Sequence, residues 1–515
     1  MDARWWERGI VYQVYPRSFR DSDGDGTGDL RGILEKLDYL RWLGVDAVWI
    51  SPVFPSPMAD FGYDVADYCG IDPIFGTMAD FDALLARAHQ LGLKLILDFV
   101  PNHTSDQHPW FQASRNRADG KADWYLWRGR PNNWLANFGG SAWTWDPVRG
   151  QYYYHSFLPT QSDLNWRHPE VRSAMYDVLR FWLDKGVDGF RVDVIWMLIK
   201  DDQFRDNPPN PEWRPGQKEH DRLLPIYTED RPEVHLIVAA MRAVLDEYGD
   251  RVLIGELYLP IERLVTYYGP HGEGAQLPFN FQLLLLEDWS AARLAALITH
   301  YEAALPPGAW PNWVLGNHDR PRVGTRLGPA QARVAAMLLL TLRGTPTIYM
   351  GDELGMLDTP IPADAVRDPA ELRQPGQGQG RDPERTPFPW TEGQGAGFTS
   401  GTPWLPIGHD VPVSAQRDDP GSMLSLHRRL IALRRAEPAL AEGAILGVQA
   451  VGSALTYRRE LDGRSFAVLL NTGGAVTEVD VASGTVVADT HDSGERELPA
   501  GRLGLGPHQG VVIRV

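Results

Sequence analysis

One cysteine, Cys69, stands in a chain of 515 residues. A lone thiol excludes an internal disulfide framework and a cysteine metal cage, and it is compatible with reducing conditions. Long apolar runs are missing too. No stretch approaches the ~18 to 20 residues a membrane helix needs, and the N-terminal MDARWWERGIVYQVYP has neither a basic n-region nor an apolar h-region, so a cytoplasmic protein is expected. Positive charge is scarce: 50 Lys and Arg face 67 Asp and Glu, a formal net charge of -17. Such a chain repels phosphate backbones and anionic headgroups, which argues against nucleic-acid and membrane partners and for a neutral small molecule. There is no short-period repeat and no low-complexity tract.

What is present is an ordinary globular composition, 43% hydrophobic and 23% charged. The length exceeds the ~250 to 300 residues at which one core stops growing, so insertions or a second lobe are expected, in a monomer or small homo-oligomer. Short β-branched or aromatic runs recur: IVYQVYP (10–16), AVWISPV (47–53), KLILDFV (94–100), GFRVDV (189–194), VLIGELY (252–258), LPFNF (277–281), NWVLGNHD (312–319) and TPTIYMGDE (345–353). Between them lie segments with helical apolar spacing, such as Leu30, Ile33, Leu34, Leu37 and Val171, Met175, Val178, Leu179, Trp182. Apolar strands alternating with amphipathic helices predict an α/β fold, a (β/α)8 barrel.

Two spacings exceed an ordinary loop. Residues 104–165, rich in Trp, Tyr, Asn, Pro and Gly, predict a subdomain inserted after strand 3, and about 356–420 a second excursion after strand 8. Both would overhang the C-terminal face of the barrel, where active sites sit. The barrel is thus expected over 1–103 and 166–440. Beyond the amphipathic SMLSLHRRLIALRRAEPAL (422–440), alternating short runs predict a C-terminal antiparallel β-sandwich over 441–515. Most of the aromatics of the insertion, Trp110, Trp124, Trp127, Trp134, Trp143 and Trp145, are assigned to packing.

Asp193, Glu256 and Asp319 close the fourth, fifth and seventh predicted strands, which a barrel brings together. One carboxylate to attack an anomeric carbon and another to protonate the leaving oxygen is what glycoside hydrolysis requires; retaining enzymes hold the pair ~5 to 5.5 Å apart. Arg191, two residues before Asp193 on the same strand face, would keep Asp193 ionised, while Glu256 is expected where less positive charge and more burial raise its pKa.

The motifs GVDAVWISPV (44–53), DFVPNH (98–103), QSDLN (161–165), GFRVDV (189–194), GELY (255–258), VLGNHD (314–319) and GTPTIYMGDE (344–353) stand in the order of the α-amylase family of glycoside hydrolases, family 13, which the chain resembles along nearly its whole length. The resemblance implies Asp193 as nucleophile, Glu256 as acid/base and Asp319 as the carboxylate that stabilises the oxocarbenium-like transition state. It places His103 and His318 around the terminal glucose, where neutral imidazoles exchange hydrogen bonds with hydroxyls. PVFPSPMADFGYDVADY (52–68) is similar to the segment that closes the pocket of exo-acting α-glucosidases, with Asp60 and Arg381 clamping the non-reducing end and Tyr63 stacking on the ring. An α-glucosidase acting on short α-glucosides is implied, or a transglycosylating relative such as a sucrose isomerase or trehalose synthase.

The run Asp21-Ser-Asp-Gly-Asp-Gly-Thr-Gly-Asp29 alternates oxygens with turn-permitting glycines, as Ca2+ loops do. Asp21, Asp23, Asp25 and Asp29 would ligate a structural Ca2+, or Mg2+, through carboxylates and Thr27 through its carbonyl; the oligo-1,6-glucosidase branch implies the same. Three positions depart from that branch. Val194 follows the nucleophile, where an aliphatic residue accompanies α-1,6 or broad specificity; Arg320 follows NHD in place of a frequent Gln; and Phe388 replaces the Met of RTPM.

Overall fold

The computed structural model describes residues 4–492 and 494–515. Eight parallel strands make the central sheet: β1 (Val11–Val14), β2 (Ala47–Ile50), β3 (Lys94–Phe99), β4 (Gly189–Val192), β5 (Val252–Gly255), β6 (Leu277–Pro278), β7 (Asn312–Val314) and β8 (Thr345–Tyr349), each within a run read from the sequence. Hydrogen bonding runs in the order β6-β5-β4-β3-β2-β1-β8-β7, leaving one seam. Pro278 has no amide proton to offer at that seam. The Asn312 side chain spans it instead, donating to Pro278 O at 2.6 Å and accepting from Asn280 N at 2.9 Å.

Helices α1 (Leu30–Leu43), α2 (Met78–Gln90), α3 (Pro169–Lys185), α4 (Val234–Asp246), α5 (Ala291–Ala304), α6 (Pro329–Thr341) and α7 (Met423–Ala436) surround the strands. α3 illustrates how sequence sets their bounds. His168 caps its first turn by accepting from Glu170 N, Pro169 supplies a preset φ, and Gly186 ends it at φ 103°, which a side chain would disfavour. Its buried stripe is the predicted Val171, Met175, Val178, Leu179 and Trp182. No helix among the described residues is long and apolar enough to cross a membrane.

The insertion after β3 carries a three-stranded antiparallel sheet, Trp127–Arg128, Gln151–Tyr154 and Trp143–Asp146, and its Trp134, Trp143 and Tyr154 form a small apolar core of their own. Trp145, by contrast, is half exposed. A third irregular stretch, unread in the sequence, separates β4 from α4 across about 198–233, with only short 3-10 turns. Past α7 lie a six-stranded antiparallel sheet and a two-stranded one, with Leu469, Val479, Val486, Leu505 and Val511 buried together.

The interior of the barrel changes character along its axis. Val11, Ala47, Trp49, Ile96, Val252, Ile254 and Val314 pack in one inward apolar cluster. Successive inward side chains alternate by two, so Asp98 follows Ile96, and Glu256 follows Ile254. The same barrel face is therefore apolar at its N-terminal end and charged at its C-terminal end.

Candidate active site

Register brings the charged layer together. Asp98 on β3 pairs with Arg191 on β4, and Arg191 with Ile254 on β5. Two residues further, Asp193 and Glu256 stand at neighbouring strand ends. The fully buried Arg191 guanidinium lies 2.7 Å from Asp98 Oδ1, 2.8 Å from Asp193 Oδ1 and 2.8 Å from Glu256 Oε2. The expectation that Glu256 stands apart from positive charge does not hold, because β4 and β5 are adjacent and one guanidinium spans both strand ends. Burial nonetheless raises Glu256 against the opposing charge of Arg191. Burial also raises Asp193, again opposed by Arg191 and reinforced by Glu256. Two such carboxyls titrate as a pair that retains a proton where a free aspartate would lose it.

Asp319 behaves differently. Burial works against its charge, but the fixed positive charges of Arg385 and Arg381 outweigh that and hold it well below the usual carboxylate range. Arg385 Nη2 donates to Asp319 Oδ1 at 2.7 Å and Arg381 Nη1 at 3.2 Å. Arg381 also donates to Asp60 Oδ1 at 2.7 Å and to Asp368 at 2.7 and 3.0 Å. Asp60 and Arg381 are thus an interior pair, bridging the β2 loop to the excursion after β8.

His318 accepts at Nδ1 from Gln13 Nε2 at 2.7 Å, donates from Nε2 to the Tyr63 hydroxyl at 2.7 Å, and that hydroxyl donates to Asp98 at 3.0 Å. Burial pushes His318 well below its ordinary value, so the ring is neutral. The Tyr63 ring lies nearly parallel to His318, 7° apart. His103 is likewise pushed down by burial, and its Nε2 lies 2.9 Å from Tyr63 O and 3.3 Å from Gln161, which reaches Asp60 at 3.2 Å. Every residue read as catalytic or substrate-binding thus lies in one connected cluster at the C-terminal end of the barrel.

Residues 13–443 match the family of the alpha amylase catalytic domain. This chain belongs to the α-amylase family. It is 42% identical over 494 residues to a protein named probable alpha-glucosidase of Rhizobium meliloti, covering 91% of this chain and 90% of the other. Among solved structures it superposes on an alpha-glucosyl transfer enzyme with a TM-score of 0.94 at 40% identity, both chains covered in full. It superposes on a trehalulose synthase from Pseudomonas mesoacidophila with a TM-score of 0.92 at 34% identity, again over the full length of both.

Four residues of this α-amylase-family site hold places or conformations that the sequence pattern does not assign. Asp98 lies within DFVPNH, and its signal is a charge directly after an apolar run. Arg385, fully buried, and Asp368, whose carboxylate orients Arg381, come from a stretch without periodicity. Val194 adopts φ 37° and ψ 46°, a left-handed conformation strained for a β-branched residue. The turn it makes aims its N–H at Glu256 Oε2, 2.9 Å away.

In the loop after β1, carboxylate oxygens of Asp21, Asp23 and Asp29 lie within 4.8 Å of one another. Asp25 is not of that group: its carboxylate turns back to accept from Thr27 N at 2.7 Å, the closure a tight Asx turn favours. Thr27 is buried beside it. Three hard oxygen donors converging in this way suit Ca2+ or Mg2+. Asp21 further accepts from Thr399 Oγ1, tying this loop to the long excursion after β8.

Proposed function

We propose that the protein is a retaining, exo-acting α-glucosidase that releases α-glucose from short α-glucosides of the maltose, isomaltose, sucrose or trehalose type. The observation that carries the reading is one guanidinium, Arg191, touching both Asp193 and Glu256. Two carboxylates bound to one guanidinium are neighbours, which favours the close spacing of double displacement over the wider gap an inverting enzyme reserves for water. Asp193 attacks C1 while protonated Glu256 gives its proton to the glycosidic oxygen, breaking the C1–O bond and leaving a glucosyl ester. Water then yields a proton to Glu256 and attacks C1, freeing α-glucose and Asp193. Asp319, kept anionic by its arginines, stabilises positive charge developing at the ring.

The Asp60–Arg381 lock supports chain-end specificity, because it ties the loop after β2 to the excursion after β8 beside Asp319. In this reading His103, His318 and Tyr63 bind the terminal glucose. The likeness to a glucosyl transfer enzyme and a trehalulose synthase supports a second reading, in which a sugar hydroxyl replaces water in the second step. Asp21, Asp23 and Asp29 would hold a structural Ca2+, which would neutralise their mutual repulsion and brace the β1 loop. The lone exposed Cys69 fits a cytoplasmic setting.

Glucose release from maltose, isomaltose, sucrose, trehalose and soluble starch tests the assignment. Rapid turnover of short sugars with little starch thinning is expected; cleavage within starch chains would refute the closed pocket, and isomerised disaccharide in place of glucose would favour transfer.

A further inference from the structure

The turn that carries Asp60 is held in a conformation its residues disfavour. Met58 and Phe61 adopt φ 63° and φ 51°, and Gly62 adopts φ 109°, so two residues with side chains are left-handed within one short turn. Such a backbone persists only where its surroundings over-determine it. The Asp64 carboxylate does this. It is fully buried; its Oδ1 accepts from Asp60 N at 3.0 Å and from Ser56 Oγ at 2.8 Å, and its Oδ2 accepts from Ala59 N at 2.8 Å. Ser56 Oγ in turn accepts from Met58 N at 2.9 Å, so one carboxylate and one hydroxyl hold three successive amides of the turn.

Two side chains of the pocket wall start from this backbone. Asp60 meets Arg381 at 2.7 Å and Gln161 at 3.2 Å. Tyr63, whose N donates to Asp60 O at 3.1 Å, carries the hydroxyl shared by His318 and Asp98. A carboxylate that fixes the Asp60 amide therefore fixes where the Asp60 side chain begins.

We propose that Asp64 is a positioning residue for the glucose end of the pocket: its carboxylate sets the backbone of Asp60 and thereby holds the Asp60 carboxylate in place opposite Arg381. The proposal rests on the α-glucosidase reading above, which gives Asp60 to the terminal sugar.

Burial pushes Asp64 up to about 6 against its three donors, so the kinetics are compared at about pH 7.5, where both oxygens are free to accept. Asp64→Asn leaves one acceptor oxygen where the donors use two. With 4-nitrophenyl α-glucoside, whose ready leaving group keeps weak variants measurable, this variant should lose about tenfold in kcat/KM, mostly through KM. The loss should also depend on Asp60. In an Asp60→Ala background the same substitution should change kcat/KM by less than about twofold, because the side chain it would misplace is gone. KM does not depend on the folded fraction, so partial unfolding does not mimic the result. Ser56→Ala, which removes one donor and keeps the carboxylate, should lose about two- to threefold with the same dependence on Asp60, and it carries the test if Asp64→Asn does not fold. An unchanged KM in the folded variants, or an equal loss with and without Asp60, overturns the proposal and leaves the α-glucosidase reading standing. Absence of hydrolysis by the wild type overturns both.

Discussion

Arg191 gathers three carboxylates at neighbouring strand ends, since Asp98, Asp193 and Glu256 all end on it. Lysine keeps the charge but cannot span two strand ends. Arg191→Lys should therefore lower kcat by about 100- to 1,000-fold, the scale on which one preorganised donor is worth. It should also move the pH profile. Burial raises both Asp193 and Glu256 and Arg191 opposes it on each, so a poorer cation lets both rise further. The acid limb of kcat/KM, set by ionisation of the nucleophile, should shift to higher pH; an unmoved limb would mean Arg191 does not govern these groups. At this scale the sequence was readable where a residue ends a strand. Asp193, Glu256, Asp319 and Arg191 follow from strand position and side-chain alternation. Arg385, Asp368 and Gln161 sit in irregular chain, where nothing in the local pattern says which way a side chain turns, and the left-handed turn of Val194 contradicts the β-branched preference that a sequence suggests.

Among the elements, the eight strands were legible because each is a short apolar run closed by turn residues, and α3 because its caps and stripe agree. The stretch at about 198–233 was not, since it shows neither helical nor strand periodicity although its Glu219 leans on the insertion. The end of β8 illustrates a cost the pattern hides. Asp352, buried there, has one carboxylate oxygen without a hydrogen-bond partner, and burial pushes its carboxyl up to about 7 from 3.8. Between these values the folded protein holds a proton that the unfolded chain has released. That contribution to stability is complete below about pH 4 and is lost as pH rises through about 7. Asp352→Asn stays neutral throughout, so its Tm should exceed that of wild type by a few degrees (~3 °C) at about pH 8 and approach it at about pH 4.5. Equal differences at both pH values would contradict the assignment.

The whole molecule is held together at the end of the barrel remote from the carboxylates. Arg434 of α7 donates to Leu340 O at 3.1 Å and to Leu342 O at 2.9 Å, and Arg459 of the C-terminal sheet donates to Leu440 O at 2.7 Å and to Thr341 O. Carbonyls at the end of α6 have no partner within the helix, and these buried guanidinia, pushed down by burial to about 10 and about 9, supply it. Arg459→Met should cost on the order of 2 kcal/mol or more in a urea titration, because it strands buried carbonyls, while activity per folded molecule holds. Calcium belongs to this scale as well: removal with a chelator should lower Tm, and added Ca2+ should restore it, if Asp21, Asp23 and Asp29 bind an ion that braces the β1 loop against Thr399. The order of barrel, insertion and terminal sheet was legible from composition shifts. The ties between them were not, since they run from arginine side chains to distant backbone.

The central claim is a covalent glucosyl ester on Asp193. A slow-reacting 5-fluoro-α-glucosyl fluoride should trap it, and mass spectrometry of the digested protein should find one fluoroglucosyl group on the peptide containing Asp193, absent after Asp193→Asn. Label on another carboxylate, or no label while β-glucose is the first product released from maltose, would contradict the account.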